Sequence, residues 1–175
     1  MSGHNKFSKI KHLKARNDAD KSKRYTKLVR LISTEAKKSG GNVSSPGLAA
    51  AIAKAREENM PNDTIDRAVK KATDTSVVME SIIYEAYGPG GVAILIEALT
   101  ENRNKAAQEI KHILATHQIA LAAPGSASWA FHKEGHEWKP TTTLPLEDAD
   151  VDKLSALVAD LEANDEVQEV FTNAE

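Results

Sequence analysis

The 175-residue chain contains no cysteine, which excludes disulfides, thiol nucleophiles and Cys-ligated metal and fits a reducing compartment. Aromatic residues make up only 5%, so any core must rest on Ala, Leu, Ile and Val. No apolar run approaches the ~18 residues that a membrane-spanning helix needs. The N-terminus also lacks the apolar stretch of a secretory signal. Carboxylates are absent from the opening MSGHNKFSKIKHLKARN, which carries Lys6, Lys9, Lys11, Lys14 and Arg16. What is present is otherwise ordinary for a globular protein, with 41% hydrophobic and 27% charged residues. The length accommodates one domain or two small ones.

The formal net charge of −2 conceals a strong asymmetry. Residues 1–73 hold 17 Lys and Arg against 7 Asp and Glu, whereas residues 74–175 hold 6 against 18. A basic half joined to an acidic half points to a polyanion-binding module attached to something that repels polyanions.

Periodicity divides the chain in the same place. From DADKSK to the Gly40-Gly41 stop, Tyr25, Leu28, Val29, Ile32 and Ala36 recur at helical spacing and share about 100° of arc. Arg16, Lys23, Lys27 and Arg30 fall roughly opposite, within about 60°. A second helix is expected after a Ser45 N-cap and Pro46, with Leu48, Ala51, Ile52 and Ala55 inward. Asp63 is expected to cap a short third helix with Ile65, Ala68 and Val69 inward. TDTSVVMES reads as a linker. Beyond it the period changes: SIIYEAY and VAILIEAL flank the turn GPGG as strands. NRNKAAQEIKHILATH predicts a helix on Ala106, Ile110, Ile113 and Leu114. SASWAF and HEWKP predict two short strands, DADVDKLSALVADLEAN a helix on Val151, Leu154, Leu157, Val158 and Leu161, and EVQEVFTN a last strand. The expected class is α+β: a three-helix domain over 1–76, then an α+β sandwich over 77–175 with helices on one sheet face.

Motifs with chemical meaning are few. Gly88-Pro89-Gly90-Gly91-Val92-Ala93 matches a dinucleotide fingerprint, but that chemistry needs the loop to open a helix, and here a strand follows. A turn between strands is the better reading. His132 and His136 are spaced like two metal ligands, yet no second pair completes a four-ligand site. The acidic residues cluster at helix starts and exposed faces, as in EDADVD, where they complement the helix dipole. No nucleophile elbow, P-loop or HExxH occurs. The chain is expected to be no enzyme and to use no cofactor, metal or small-molecule substrate.

The basic segment is the one strong signal. Lys6, Phe7, Lys9, Lys11, His12, Lys14 and Arg16 on the arm, with Lys23, Lys27 and Arg30 on the helix stripe, are the candidate nucleic-acid-binding residues. Lysines neutralise phosphates and release counterions, giving salt-dependent affinity with little sequence choice. Phe7 and His12 interleave them and can stack on bases. Lys outnumbers Arg, and Lys lacks the bidentate fork that reads base edges. The acid-free opening also invites comparison with a mitochondrial presequence, although those prefer Arg.

GHNKFSKIKHLKARND resembles the opening of the YebC/PmpR family, which also includes mitochondrial translational activators. YTKLVRLI, NMPNDTIDRAVKKAT, YEAYGPGGVAILIEALTENRN, GSASWAF and DLEANDEVQEVFTN follow in the family's order. The resemblance implies an N-terminal three-helix domain, a ferredoxin-like second domain and a non-enzymatic role in gene expression. It aligns the basic arm with the family's own start, which argues against a presequence; a cytoplasmic location is expected. Typical members insert a third domain after the block matching GSASWAF. Here HKEGHE joins Phe131 to Trp138, so that domain is expected to be missing near residues 132–137. Phe7 stands where the family usually has Trp.

Three functions compete. The first is a DNA-binding transcriptional regulator, and the second an RNA- or ribosome-associated translation factor using the same surface. The third is a protein–protein adaptor acting through the acidic domain. Phosphate contacts look alike on DNA and RNA, so the residues themselves leave the first two open. Tyr87, Asn102 and Arg103 also fall in matching blocks, with Asn102 best read as a helix N-cap.

Overall fold

The computed structural model describes residues 18–74, 76, 78–135 and 137–175, with side chains from Lys21 onward. Two compact units divide the described chain between Glu80 and Ser81.

The first unit holds α1 (Asp18–Lys38), α2 (Pro46–Glu57) and α3 (Asn62–Asp74). Helix α1 stops where the glycines demand it: Gly40 and Gly41 take φ of 59° and 81°, and the Gly41 N–H donates to the Ala36 carbonyl at 2.7 Å. The Tyr25 hydroxyl donates to the Asn59 carbonyl at 2.6 Å, tying α1 to the turn before α3. The expected inner positions, joined by the unexpected Met60 and Ala72, meet in one core of Leu28, Ile32, Ala36, Leu48, Ala51, Ile52, Ala55, Met60, Ile65, Ala68 and Ala72, with Tyr25, Val29 and Val69 half-buried around it. Five of those eleven buried residues are alanine, so the helices pack closely and leave little slack for a larger side chain.

Both predicted caps of this unit differ in detail. Ser45 occupies the N-cap position of α2, but its side chain makes no capping bond, and the helix start rests on Pro46 at the first turn. Helix α3 begins before Asp63. The Pro61 carbonyl accepts the N–H groups of Thr64 and Ile65 at 3.0 and 3.2 Å, leaving Asp63 in the first turn, where its charge suits the dipole.

The second unit contains β1 (Glu80–Tyr87), β2 (Ala93–Thr100), α4 (Arg103–Thr116), β3 (Leu121–Ala122), β4 (Phe131–Glu134), β5 (Glu137–Pro140), α5 (Asp148–Ala163) and β6 (Val167–Thr172). Its main sheet runs β3-β1-β2-β6, while β4 and β5 form a separate antiparallel ribbon. Strand β3 pairs antiparallel with β1 and β6 with β2, in a register that sets Ile94 opposite Thr172 and Ile96 opposite Val170. Four strands with two helices on one face give the expected ferredoxin-like layering.

Strand β2 reads as a continuous apolar run because both of its faces are covered. Ile94, Ile96 and Ala98 pack with Ile110 and Leu114 of α4 and with Leu154, Leu157 and Leu161 of α5. Ala93 and Leu95 face the other way, into a smaller core with Ala127, Ala130, Phe131 and half-buried Ile83, Trp138 and Phe171. The ribbon is therefore the second cover of the sheet.

Two strand predictions change. The short strand at Leu121–Ala122 lies in a stretch not predicted as strand. SASWAF is not a strand as a whole: Ser128–Ala130 is a single helical turn, and β4 starts only at Phe131.

Candidate nucleic-acid interface

Lys6, Phe7, Lys9, Lys11, His12, Lys14 and Arg16 lie outside the described residues. Lys23, Lys27 and Arg30 lie on α1 at spacings of four and three, which puts them on one helix face. Lys23 is exposed, whereas Lys27 and Arg30 are half-buried and engaged with neighbours. Two of the three cations of the stripe are thus already engaged. Arg24 adds a cation on the same element, 3.7 Å from the Glu58 carboxylate, and Lys21 lies over the Tyr25 ring at 5.6 Å. Lys37 and Lys38 occupy the last turn of α1 and Lys71 that of α3, where cations complement the dipole.

The glycine-rich turn Gly88–Val92 serves packing. Gly90 has φ of 69°, and a Cβ there would lie 2.3 Å from Leu146 Cδ2. A Cβ on Gly88 would lie 2.7 Å from Ile94 Cδ1. A strand follows, so the loop opens no helix and presents no phosphate cradle. Asn102 caps α4 as expected, accepting from the N–H groups of Asn104 and Lys105, both at 3.1 Å. His132 is exposed and lies 3.4 Å from the Thr141 hydroxyl, while His136 falls outside the described residues. Among the described residues, no group of three or more His, Asp or Glu is placed to hold a metal ion. Among them, too, no helix is long and apolar enough to cross a membrane.

Sequence reasoning missed a second constellation. Glu85, only 6% exposed, accepts three backbone N–H groups: Gly125 at 2.6 Å, Ala127 at 2.7 Å and Ser128 at 2.8 Å. Burial pushes its carboxyl up, but these amides together outweigh burial and hold it below the ordinary 4.5. The Tyr87 hydroxyl donates to the Ser126 carbonyl and accepts from the Trp129 indole N–H at 2.9 Å. The usable signal was a carboxylate at an alternating position in SIIYEAY, on the strand face shared by Ile83 and Tyr87.

Fold and site together define a two-unit α+β protein: a helical unit rich in Lys and Arg, then a sheet unit rich in carboxylates. Residues 5–75 match the model of the TACO1/YebC protein N-terminal domain, and residues 79–137 match that of the TACO1/YebC second and third domain. The chain belongs to the TACO1/YebC family. It is 46% identical over 168 residues to a "probable transcriptional regulatory protein" of Fervidobacterium nodosum, covering 94% of this chain and 65% of that protein. A protein of Thermotoga maritima with the same name is 49% identical over 138 residues, covering 77% and 54%. One from Finegoldia magna is 42% identical over 178 residues, covering 100% and 74%. The chain thus spans only part of the length of the curated relatives it matches. Among solved structures, a conserved hypothetical protein of Aquifex aeolicus superposes with a TM-score of 0.80 at 27% identity, covering 90% of this chain and 91% of that one.

Proposed function

We propose that the protein regulates gene expression by binding nucleic acid through its basic helical part, as a DNA-binding transcriptional regulator. The observation that carries this reading is the concentration of cations: an acid-free arm leading into an α1 face that holds Lys23, Lys27 and Arg30. The relatives' shared name supports it. Residues 1–76 form the binding part and 77–175 an acidic part that stays clear of phosphates. The protein acts without catalysis and in the cytoplasm. The family's inserted third domain is read as missing near residues 132–137.

A translation factor bound to RNA or the ribosome is the second reading. Its support is chemical: lysine-led contacts track backbones and do not read base edges. The deciding experiment is competition between duplex DNA and ribosomes for labelled protein at several salt concentrations. DNA binding that survives physiological salt supports transcription. Ribosome co-sedimentation that survives while DNA binding is lost overturns it in favour of translation.

A further inference from the structure

Trp129 is 64% exposed and Tyr87 40%, in a chain with only two Trp and three Tyr. An exposed aromatic pair of this kind is usually mobile, yet here both rings are held. The indole N–H ends on the Tyr87 hydroxyl, whose own proton ends on Ser126. Glu85 grips the amides of Gly125, Ala127 and Ser128 beneath the same loop. Buried Ala127, Ala130 and Phe131 anchor it from below. The polar atoms of both rings are therefore consumed internally, and what faces outward is ring surface.

The chemistry around the pair selects what can lie on it. Residues 86–91 and 119–131, the stretches that carry the two rings, contain no charged side chain and no histidine, and His132 and Lys133 follow at the start of β4. An uncharged centre with a rigid Trp and Tyr is the composition of a protein-docking hot spot. Beneath it lies the ionised Glu85 carboxylate, two positions from Tyr87 on the same strand face. On the same sheet face and its ribbon, Glu97, Glu134, Glu137 and Glu169 outnumber Lys133 and Lys139, whereas α4 and α5 with their carboxylates cover the other face. A π-face above a buried anion in an acidic unit attracts cations. A nucleobase can stack on the same ring, but its phosphates would enter that acidic field.

We propose that the Tyr87–Trp129 pair is a docking point for a basic segment of a partner protein, with an arginine or lysine side chain lying on the exposed indole face. This role is separate from nucleic-acid binding and uses the opposite charge logic.

The test uses the full chain with Trp138→Phe, which leaves Trp129 as the one fluorescent indole. Three probes are titrated: an alternating Arg-Gly nonapeptide, a Glu-Gly nonapeptide and single-stranded oligouridylate. The Arg-Gly peptide is expected to shift Trp129 emission, and its labelled form to bind roughly three- to thirtyfold more weakly to Trp129→Ala. Trp129→Phe, which keeps a ring, is expected to lose less. Tyr87→Phe, which keeps a ring but releases the indole, should also weaken binding. Equal binding of the Arg-Gly peptide by the parent and Trp129→Ala overturns the proposal. So does equal binding of the Glu-Gly peptide, or oligouridylate binding that depends on Trp129. Duplex DNA binding is measured alongside and is expected to be unchanged in Trp129→Ala, so the two readings fail separately.

Discussion

Glu85 and Ala127, separated by 42 positions, are joined by a 2.7 Å hydrogen bond from a buried N–H to a buried carboxylate. One Glu85 oxygen serves Ala127 and Ser128, and the other serves Gly125. A carboxylate can do this because all its lone pairs accept. Glu85→Gln replaces one accepting oxygen with a donor that faces an N–H. The expected loss is roughly 2–4 kcal/mol, measured by urea denaturation at neutral pH.

The same contact has a pH signature. The folded carboxyl titrates below the ordinary 4.5, so its stabilisation is complete above that value and fades as pH falls through the folded pKa. Stability should therefore drop more steeply below about pH 4.5 in the parent than in Glu85→Gln. Parallel curves would show that the three amides do not depend on charge.

Gly90 and Gly91 both have positive φ, but only Gly90 is crowded. Gly91→Ala meets nothing within 4 Å and is expected to cost about 1 kcal/mol for the left-handed backbone alone. Gly90→Ala adds an encounter with Leu146, so roughly 2–4 kcal/mol is expected. Thermal unfolding of the two variants, side by side, measures the difference.

Asn102→Ala removes the side chain that satisfies the Asn104 and Lys105 amides at the start of α4. The expected cost is about 1 kcal/mol, and Asn102→Asp should restore most of it. Failure of the aspartate to rescue would show that the cap bond is not what stabilises this end.

For the arm, Lys9, Lys11 and Lys14 replaced together by Glu should weaken both DNA and ribosome binding. If each contacts one phosphate, the slope of log K against log salt should flatten by about two to three units. An unchanged slope would remove the arm from the interface.

The helical core was legible because a 3.6-residue period survives any tertiary arrangement: Leu28, Ile32 and Ala36 must share a face and must be covered. The same holds for Val151, Leu154, Leu157, Val158 and Leu161. The strand predicted over SASWAF failed for a nonlocal reason. Glu85 captures the amides of Ala127 and Ser128, so these cannot join a ladder, and pairing begins only at Phe131. The expected Ser45 cap failed for want of a bond that spacing cannot guarantee.

By itself, the order of residues determined the α+β class, the helix faces, the family and the division into a basic and an acidic part, since charge and periodicity are local and additive along the chain. Only the tertiary structure decided that β2 is covered on both faces, that Gly90 lies against Leu146 and that Tyr87 holds Trp129 outward. Those relationships join residues tens of positions apart, and no local period encodes which of them will meet.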